Sequence, residues 1–113
     1  MKSILVPTDF SDAALHAALF AASLARDTGT DLHLLNVYHL PNPLKTLPIE
    51  LIVTPDELKS DTESALKQIA QELRSSVGAS LNITLASRNG ETRRAINDYA
   101  TYAGAGLIVT GMK

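Results

Sequence analysis

The chain has 113 residues, of which 45% are hydrophobic and 19% charged, and this composition is typical of one globular domain with a buried core. The formal net charge is -2, and ten basic against twelve acidic residues in no long run argue against a nucleic-acid or anionic-membrane partner. The absence of cysteine excludes disulfides, thiolate metal sites and cysteine nucleophiles, and it is compatible with a reducing cytoplasm.

The first predicted strand covers residues 3–7, a short apolar run that ends at a proline. It starts too early for a signal peptide, and no apolar stretch reaches membrane-spanning length, so we expect a cytoplasmic protein. A helix follows over residues 12–28, because alanines and leucines recur there at three- and four-residue spacing. Ser11 or Asp12 can cap the start of this helix, and Gly29 can end it.

The second predicted strand covers residues 32–37, and a long connection with three prolines follows over residues 38–53. A connection of this length in a compact domain is either a lid over a site or a mobile tether, and the composition slightly favours the tether. The second helix then begins with Thr54 as its cap, Pro55 in its first position and Glu57 placed to bond back to the cap.

The remaining pattern is a third strand over residues 81–86, a helix that ends at Gly104 and a fourth strand over residues 107–110. Regular alternation of strands and helices predicts an α/β fold with a parallel sheet and right-handed crossovers. The commonest doubly wound order for four strands is 3-2-1-4, which places the third strand at an edge.

Ligands of doubly wound sheets bind where the winding reverses, outside the carboxyl ends of the strands, here those of strands 1 and 4. Pro7 ends strand 1 and is followed by Thr8 and Asp9, while Thr110 ends strand 4 and is followed by Gly111. The Asp9 carboxylate could accept a hydrogen bond from a ribose hydroxyl or help hold a metal. Alternatively, it only stabilises the turn by accepting hydrogen bonds from nearby backbone amides. Gly111 either permits close backbone approach to a ligand or is a plain turn glycine.

Several kinds of site have no support in the sequence. The glycine patterns of dinucleotide binders and of phosphate loops are missing, and no serine has the G-x-S-x-G elbow. His16, His33 and His39 are not spaced as a metal cluster; His39 either approaches the crevice or lies exposed in its loop. We therefore predict no metal site and no catalytic residue.

Three stretches resemble the universal stress protein family: residues 4–11 (ILVPTDFS), residues 29–37 (GTDLHLLNV) and residues 107–111 (LIVTG). The likeness spans essentially the whole chain and indicates a single domain of this family over residues 1–113. It implies a Rossmann-like fold, a cytoplasmic and typically dimeric protein, and ATP or another adenine nucleotide, with or without Mg²⁺, at the crevice.

The resemblance also implies which residues meet the nucleotide. Asp9 matches the ribose contact, the backbone of Val37 matches the adenine contact, and Gly111 matches the start of the phosphate loop. The complete set carried over by position is Pro7, Thr8, Asp9, Val37, Thr110 and Gly111.

The family's phosphate loop reads G-x-x-G, nine residues, then G-[ST], whereas this sequence ends at Lys113. A fourth helix and a fifth strand are missing too, and strand 4 would then be an apolar edge. We therefore expect a C-terminally incomplete domain, truncated or the first of two in tandem, whose own nucleotide binding is weak or absent. Its macromolecular partner would be a second copy or the tandem domain.

The leading functional prediction is a stress-response protein that binds an adenine nucleotide and acts as a regulatory module, with ATP hydrolysis at most slow. The alternative is a dimeric stress protein that binds no nucleotide and serves as a protein-interaction module. An adenylating or electron-transfer enzyme would need a glycine loop or flavin site that is not visible. A phosphoacceptor receiver would need an Asp where Ala86 and Ser87 end strand 3.

Overall fold

The computed structural model describes residues 3–38 and 55–111, and these form one parallel sheet with helices on both faces. In chain order the elements are β1 (Ser3–Pro7), α1 (Asp12–Thr28), β2 (Leu32–Tyr38), α2 (Pro55–Ser76), β3 (Ile83–Asn89), α3 (Thr92–Ala103) and β4 (Ala105–Ile108). The proline-rich connection, His39 and the predicted cap at Thr54 lie outside the described residues.

The strand order is β3-β2-β1-β4, so the predicted doubly wound arrangement is confirmed. All three strand pairs are parallel, with Val6 beside Leu34 and Leu34 beside Leu85 in the central register. On the other side of β1, Leu5 lies beside Ile108 of β4. The winding therefore reverses between β1 and β4, and a crevice opens there at the carboxyl ends of the strands.

The first strand and the first helix have the predicted bounds, whereas β3 lies two to three residues later than the sequence pattern suggested. It extends to Asn89 because Ser87 pairs with Asn36 and Asn89 pairs with Tyr38 in the parallel register. Leu81 is not in the strand; it is buried at the end of the connection and packs into the core. Pairing with β2 thus outweighed the local alternation of residues.

Helix α1 is held at both ends by the residues that the sequence indicated. The Ser11 side chain accepts a hydrogen bond from the Ala14 amide, and Gly29 adopts a left-handed conformation with a φ of 66°. Five alanines form its buried stripe, so the helix axis can approach the sheet closely: Ala14, Ala18, Ala21, Ala22 and Ala25.

The sheet divides the interior into two apolar clusters. The larger one lies between the sheet and helices α1 and α2, and Ile4, Val6 and Leu34 contribute its sheet side. The smaller one lies under α3 and is built on Leu5, Leu35 and Tyr99. Both faces of the two central strands are therefore covered, as the continuous apolar runs predicted.

Tyr99 also links α3 to the sheet through a polar contact. Its hydroxyl lies 2.8 Å from Nδ1 of His33 on β2, and the two rings meet edge to face at a centroid separation of 5.6 Å. The Arg88 guanidinium lies 5.1 Å from the centre of the Tyr99 ring. Burial lowers the pKa of His33 below its usual value of 6.5, and the Asp31 carboxylate opposes this only in part.

We expect the stability of the fold to fall as the pH decreases through the range just below 6.5. The unfolded chain protonates His33 at a higher pH than the folded chain, so acidification favours unfolding until the pH drops below the folded pKa. Thermal unfolding at closely spaced pH values tests this. His33→Gln should flatten the profile in this window, whereas His16→Gln, at an exposed position of α1, should leave it unchanged. Identical profiles for His33→Gln and the wild type would contradict the assignment.

Candidate functional site

A cleft of about 580 Å³ opens at the switch point between β1 and β4. This volume lies within the range of about 300–1,000 Å³ that small-molecule sites occupy. Side chains from the ends of β1 and β4 and from the start of α3 line it: Pro7, Glu91, Thr92, Arg93, Ile96, Asn97, Ile108 and Thr110. Two of the six predicted contact residues, Pro7 and Thr110, are therefore brought together in one cleft.

The turn after β1 is tied down by its own side chains. The amide of Phe10 donates to Oγ1 of Thr8 at 3.0 Å, and the amide of Ser11 donates to Oδ1 of Asp9 at 3.0 Å. Thr8 is buried, while Asp9 is exposed. The Asp9 carboxylate thus shapes the turn, one of the two roles open to it from the sequence, and it still reaches the surface beside the crevice.

Phe10 is the only described non-glycine residue with a positive φ, at 64°. A side chain in this left-handed region costs roughly 1 kcal/mol or more, so the surrounding turn must hold it there. The residue is 42% exposed and lines a shallow pocket together with residues of α1 and α2. No residue pattern predicts this conformation, because phenylalanine rarely adopts it.

A second residue that sequence reasoning missed is Asn36 of β2. It is 7% exposed, and its Nδ2 donates to the backbone oxygen of Thr8 at 2.8 Å. An amide between the apolar residues Leu35 and Val37 was the available signal. Because a buried amide must be hydrogen-bonded, its position in that run already required a nearby polar partner.

Gly111 lies against the first turns of α1. A Cβ atom at this position would stand 2.3 Å from the Ala13 carbonyl oxygen and 3.1 Å from the Ala17 Cβ. The backbone leaving β4 therefore passes α1 at a distance that only glycine allows. The close approach in the structure is to the helix, and the predicted approach to a ligand stays a prediction.

Val37 lies on the face of β2 that packs under α3, where it borders the smaller apolar cluster. It is half-buried and pairs with Arg88 of β3. Its side chain does not line the cleft between β1 and β4. The structure therefore brings Val37 to the same sheet edge as the β1 turn, one strand away from the cleft.

The charged residues that line the cleft, Glu91 and Arg93, both lie at the start of α3. Glu91 caps the helix, and its carboxylate accepts hydrogen bonds from the amides of Arg93 at 3.1 Å and Arg94 at 2.8 Å. The amide of Arg94, then that of Arg93, holds the pKa of Glu91 below its usual value. A carboxylate thus occupies the helix end that could otherwise attract an anionic ligand.

Within residues 3–38 and 55–111, histidine and acidic side chains do not gather in a group of three that could hold a metal ion. In the same ranges, each helix is too short or too polar to cross a membrane.

The sequence profile described as the universal stress protein family matches residues 1–113. The fold is similar to universal stress protein UspA from Lactobacillus plantarum, with 27% identity, a TM-score of 0.73, and coverage of 96% of this chain and 75% of that one. A Burkholderia pseudomallei family protein is 24% identical over 98% of this chain and 81% of its own, with a TM-score of 0.77. A universal stress protein in complex with cAMP is 20% identical, with a TM-score of 0.72 and coverage of 96% and 74%. No curated protein sequence matches the chain.

Proposed function

The chain belongs to the universal stress protein family, and on that premise we propose that this stress-response protein binds an adenine nucleotide at the crevice between β1 and β4. The observation that carries the proposal is the cleft of about 580 Å³ at the switch point of the sheet. The similar protein in complex with cAMP supports the choice of an adenine nucleotide. In this proposal the protein is a cytoplasmic regulatory module whose bound state is read by a partner.

The chemistry of the cleft favours one orientation of the nucleotide. Ile96 and Ile108 offer apolar surface to a planar base, and the buried Pro7 lies behind it. The exposed Asp9 carboxylate, just outside this surface, is suited to accept a hydrogen bond from a ribose hydroxyl. The proposed contacts are Pro7, Thr8 and Asp9 to adenosine, the Val37 backbone to adenine, and Thr110 and Gly111 to the phosphates.

Glu91 decides which way the phosphates face. Its carboxylate already accepts the first amides of α3, and its lowered pKa keeps it ionised at neutral pH. A phosphate beside it would meet like charge. We therefore place the phosphates on the β4 side, at Thr110 and Gly111, with or without Mg²⁺.

The second candidate function is a protein-interaction module that binds no nucleotide and pairs with a second copy of the chain. It is favoured by Leu107 and Ile108 of the edge strand β4, which are 41% and 40% exposed. Apolar side chains on a sheet edge promote pairing with another chain.

Calorimetric titration with cAMP, AMP and ATP, the last with and without Mg²⁺, tests the proposal. We expect saturable binding of at least one of them, weakened about 10- to 100-fold by Asp9→Ala, since a hydrogen bond to a charged group contributes about 1.5–3 kcal/mol. The matched control is Asp12→Ala, because Asp12 is also exposed and lies in the first turn of α1. We expect it to retain the wild-type affinity.

The absence of saturable heat with all three nucleotides would reject the proposal and favour the interaction module. Equal weakening by Asp9→Ala and Asp12→Ala would retain nucleotide binding but reject the ribose contact at Asp9.

A further inference from the structure

The Asn36 amide crosses from β2 to the turn that leaves β1. It lies under the helices α1 and α2, on the same face of β2 as Leu34. Its Nδ2 reaches the Thr8 oxygen at 2.8 Å, across 28 positions of sequence. A buried amide in an apolar layer is destabilising unless it is bonded, so this contact defines where the turn lies.

Thr8 is fixed by three hydrogen bonds from three directions. Its amide donates to the Leu35 oxygen at 2.8 Å, its oxygen accepts from Asn36, and its Oγ1 accepts from the Phe10 amide. It is only 2% exposed. The Thr8 oxygen belongs to the peptide group that joins Thr8 to Asp9. The Asn36 hydrogen bond therefore fixes the orientation of this peptide plane, and with it the position of the Asp9 Cα atom.

The same turn contains the left-handed Phe10, which needs surrounding contacts to remain in that conformation. The Asn36 bond reaches Thr8 from a side chain outside the turn, whereas the Phe10 bond comes from within it. Removing it leaves the Thr8 oxygen without its buried amide donor and lets the Thr8–Asp9 peptide rotate. If a binding group is not held in place, the affinity for the ligand falls, because binding must then order that group.

We propose that Asn36 is a positioning residue of the nucleotide site, which holds the β1 turn so that the Asp9 carboxylate meets the ribose. This inference rests on the proposed adenine-nucleotide function. Asn36 itself does not touch the ligand; it acts through Thr8.

The chain offers a matched control at the other end of the strands, where their amino ends lie. Asn82 precedes β3, and its Nδ2 donates to Oδ1 of Asp31, which precedes β2, at 3.0 Å. Both asparagines therefore bond across neighbouring strands through the same atom. Only Asn36 does so at the carboxyl ends, where the crevice lies.

The experiment is a double-mutant cycle on nucleotide affinity, using calorimetry with the nucleotide that the wild-type chain binds best. Asn36→Leu removes the hydrogen-bond donor at similar side-chain volume. If the leucine variant does not fold, Asn36→Ala is used in its place. We expect Asn36→Leu to weaken binding at least about fivefold in the wild-type background, but less than about twofold when Asp9→Ala is already present. Asn82→Leu should leave the affinity unchanged in both backgrounds.

Each outcome decides the question. Non-additivity with Asp9 supports positioning, because a general loss of stability would weaken both backgrounds equally. Equal weakening in the two backgrounds, or no weakening, overturns the inference while nucleotide binding stands. A wild-type chain that binds none of the nucleotides overturns the inference together with the proposed function.

Discussion

Leu34→Ala is expected to lower the free energy of unfolding by about 2–5 kcal/mol, the largest effect of any single change discussed for this chain. Leu34 has no exposed surface, and it lies in the central strand β2 between Val6 and Leu85. Its side chain joins the larger cluster under α1 and α2, so truncation leaves a cavity that close-packed neighbours fill only in part. Urea unfolding followed by circular dichroism measures the loss.

The control is the same substitution on the edge of the sheet. Leu107 of β4 is 41% exposed, so Leu107→Ala should cost about 1 kcal/mol or less. Because a folded domain is stable by only about 5–15 kcal/mol, the two variants should be clearly separated in their urea midpoints. Equal losses would contradict the assignment of the main core to the face of β2 that packs against α1 and α2.

Gly111→Ala is expected to destabilise the fold by about 1–3 kcal/mol, the usual range for forcing an extra methyl group into a filled space. The new Cβ would stand 2.3 Å from the Ala13 oxygen and 2.9 Å from the Ala13 carbonyl carbon. These are backbone atoms of the first turn of α1, which cannot rotate away as a side chain can. Either α1 or the segment that leaves β4 must shift, and Ile108 and Thr110 of that segment line the cleft.

Gly78→Ala provides the comparison, because its Cβ would meet only the flexible Arg26 side chain, at 3.6 Å. We expect that variant to unfold within about 0.5 kcal/mol of the wild type. Nucleotide titration of both variants separates stability from binding, since Gly111→Ala should also weaken binding and Gly78→Ala should not. A Gly111→Ala protein with wild-type stability would show that the two segments are not held in contact.

The positions of some residues of the site could be predicted from the sequence, and those of others could not. Pro7 ends a strand and Thr8 and Asp9 follow it directly, so their place at the carboxyl end of the sheet followed from chain order alone. The α3 wall with Ile96 and Asn97 did not, because no local pattern says which helix face borders a cleft. For Val37 the sequence predicted a backbone contact, which stays a prediction; its side chain lies outside the cleft lining.

The sequence by itself determined the class of the fold, the order of its elements and the ends of α1, because these depend on local periodicity and on caps such as Ser11 and Gly29. Tertiary structure decided the contacts between distant residues. Asn36 meets Thr8 across 28 positions, and His33 meets Tyr99 across 66. Such pairs form only when the parallel register is fixed, and register depends on the packing of whole strands rather than on any short stretch of residues.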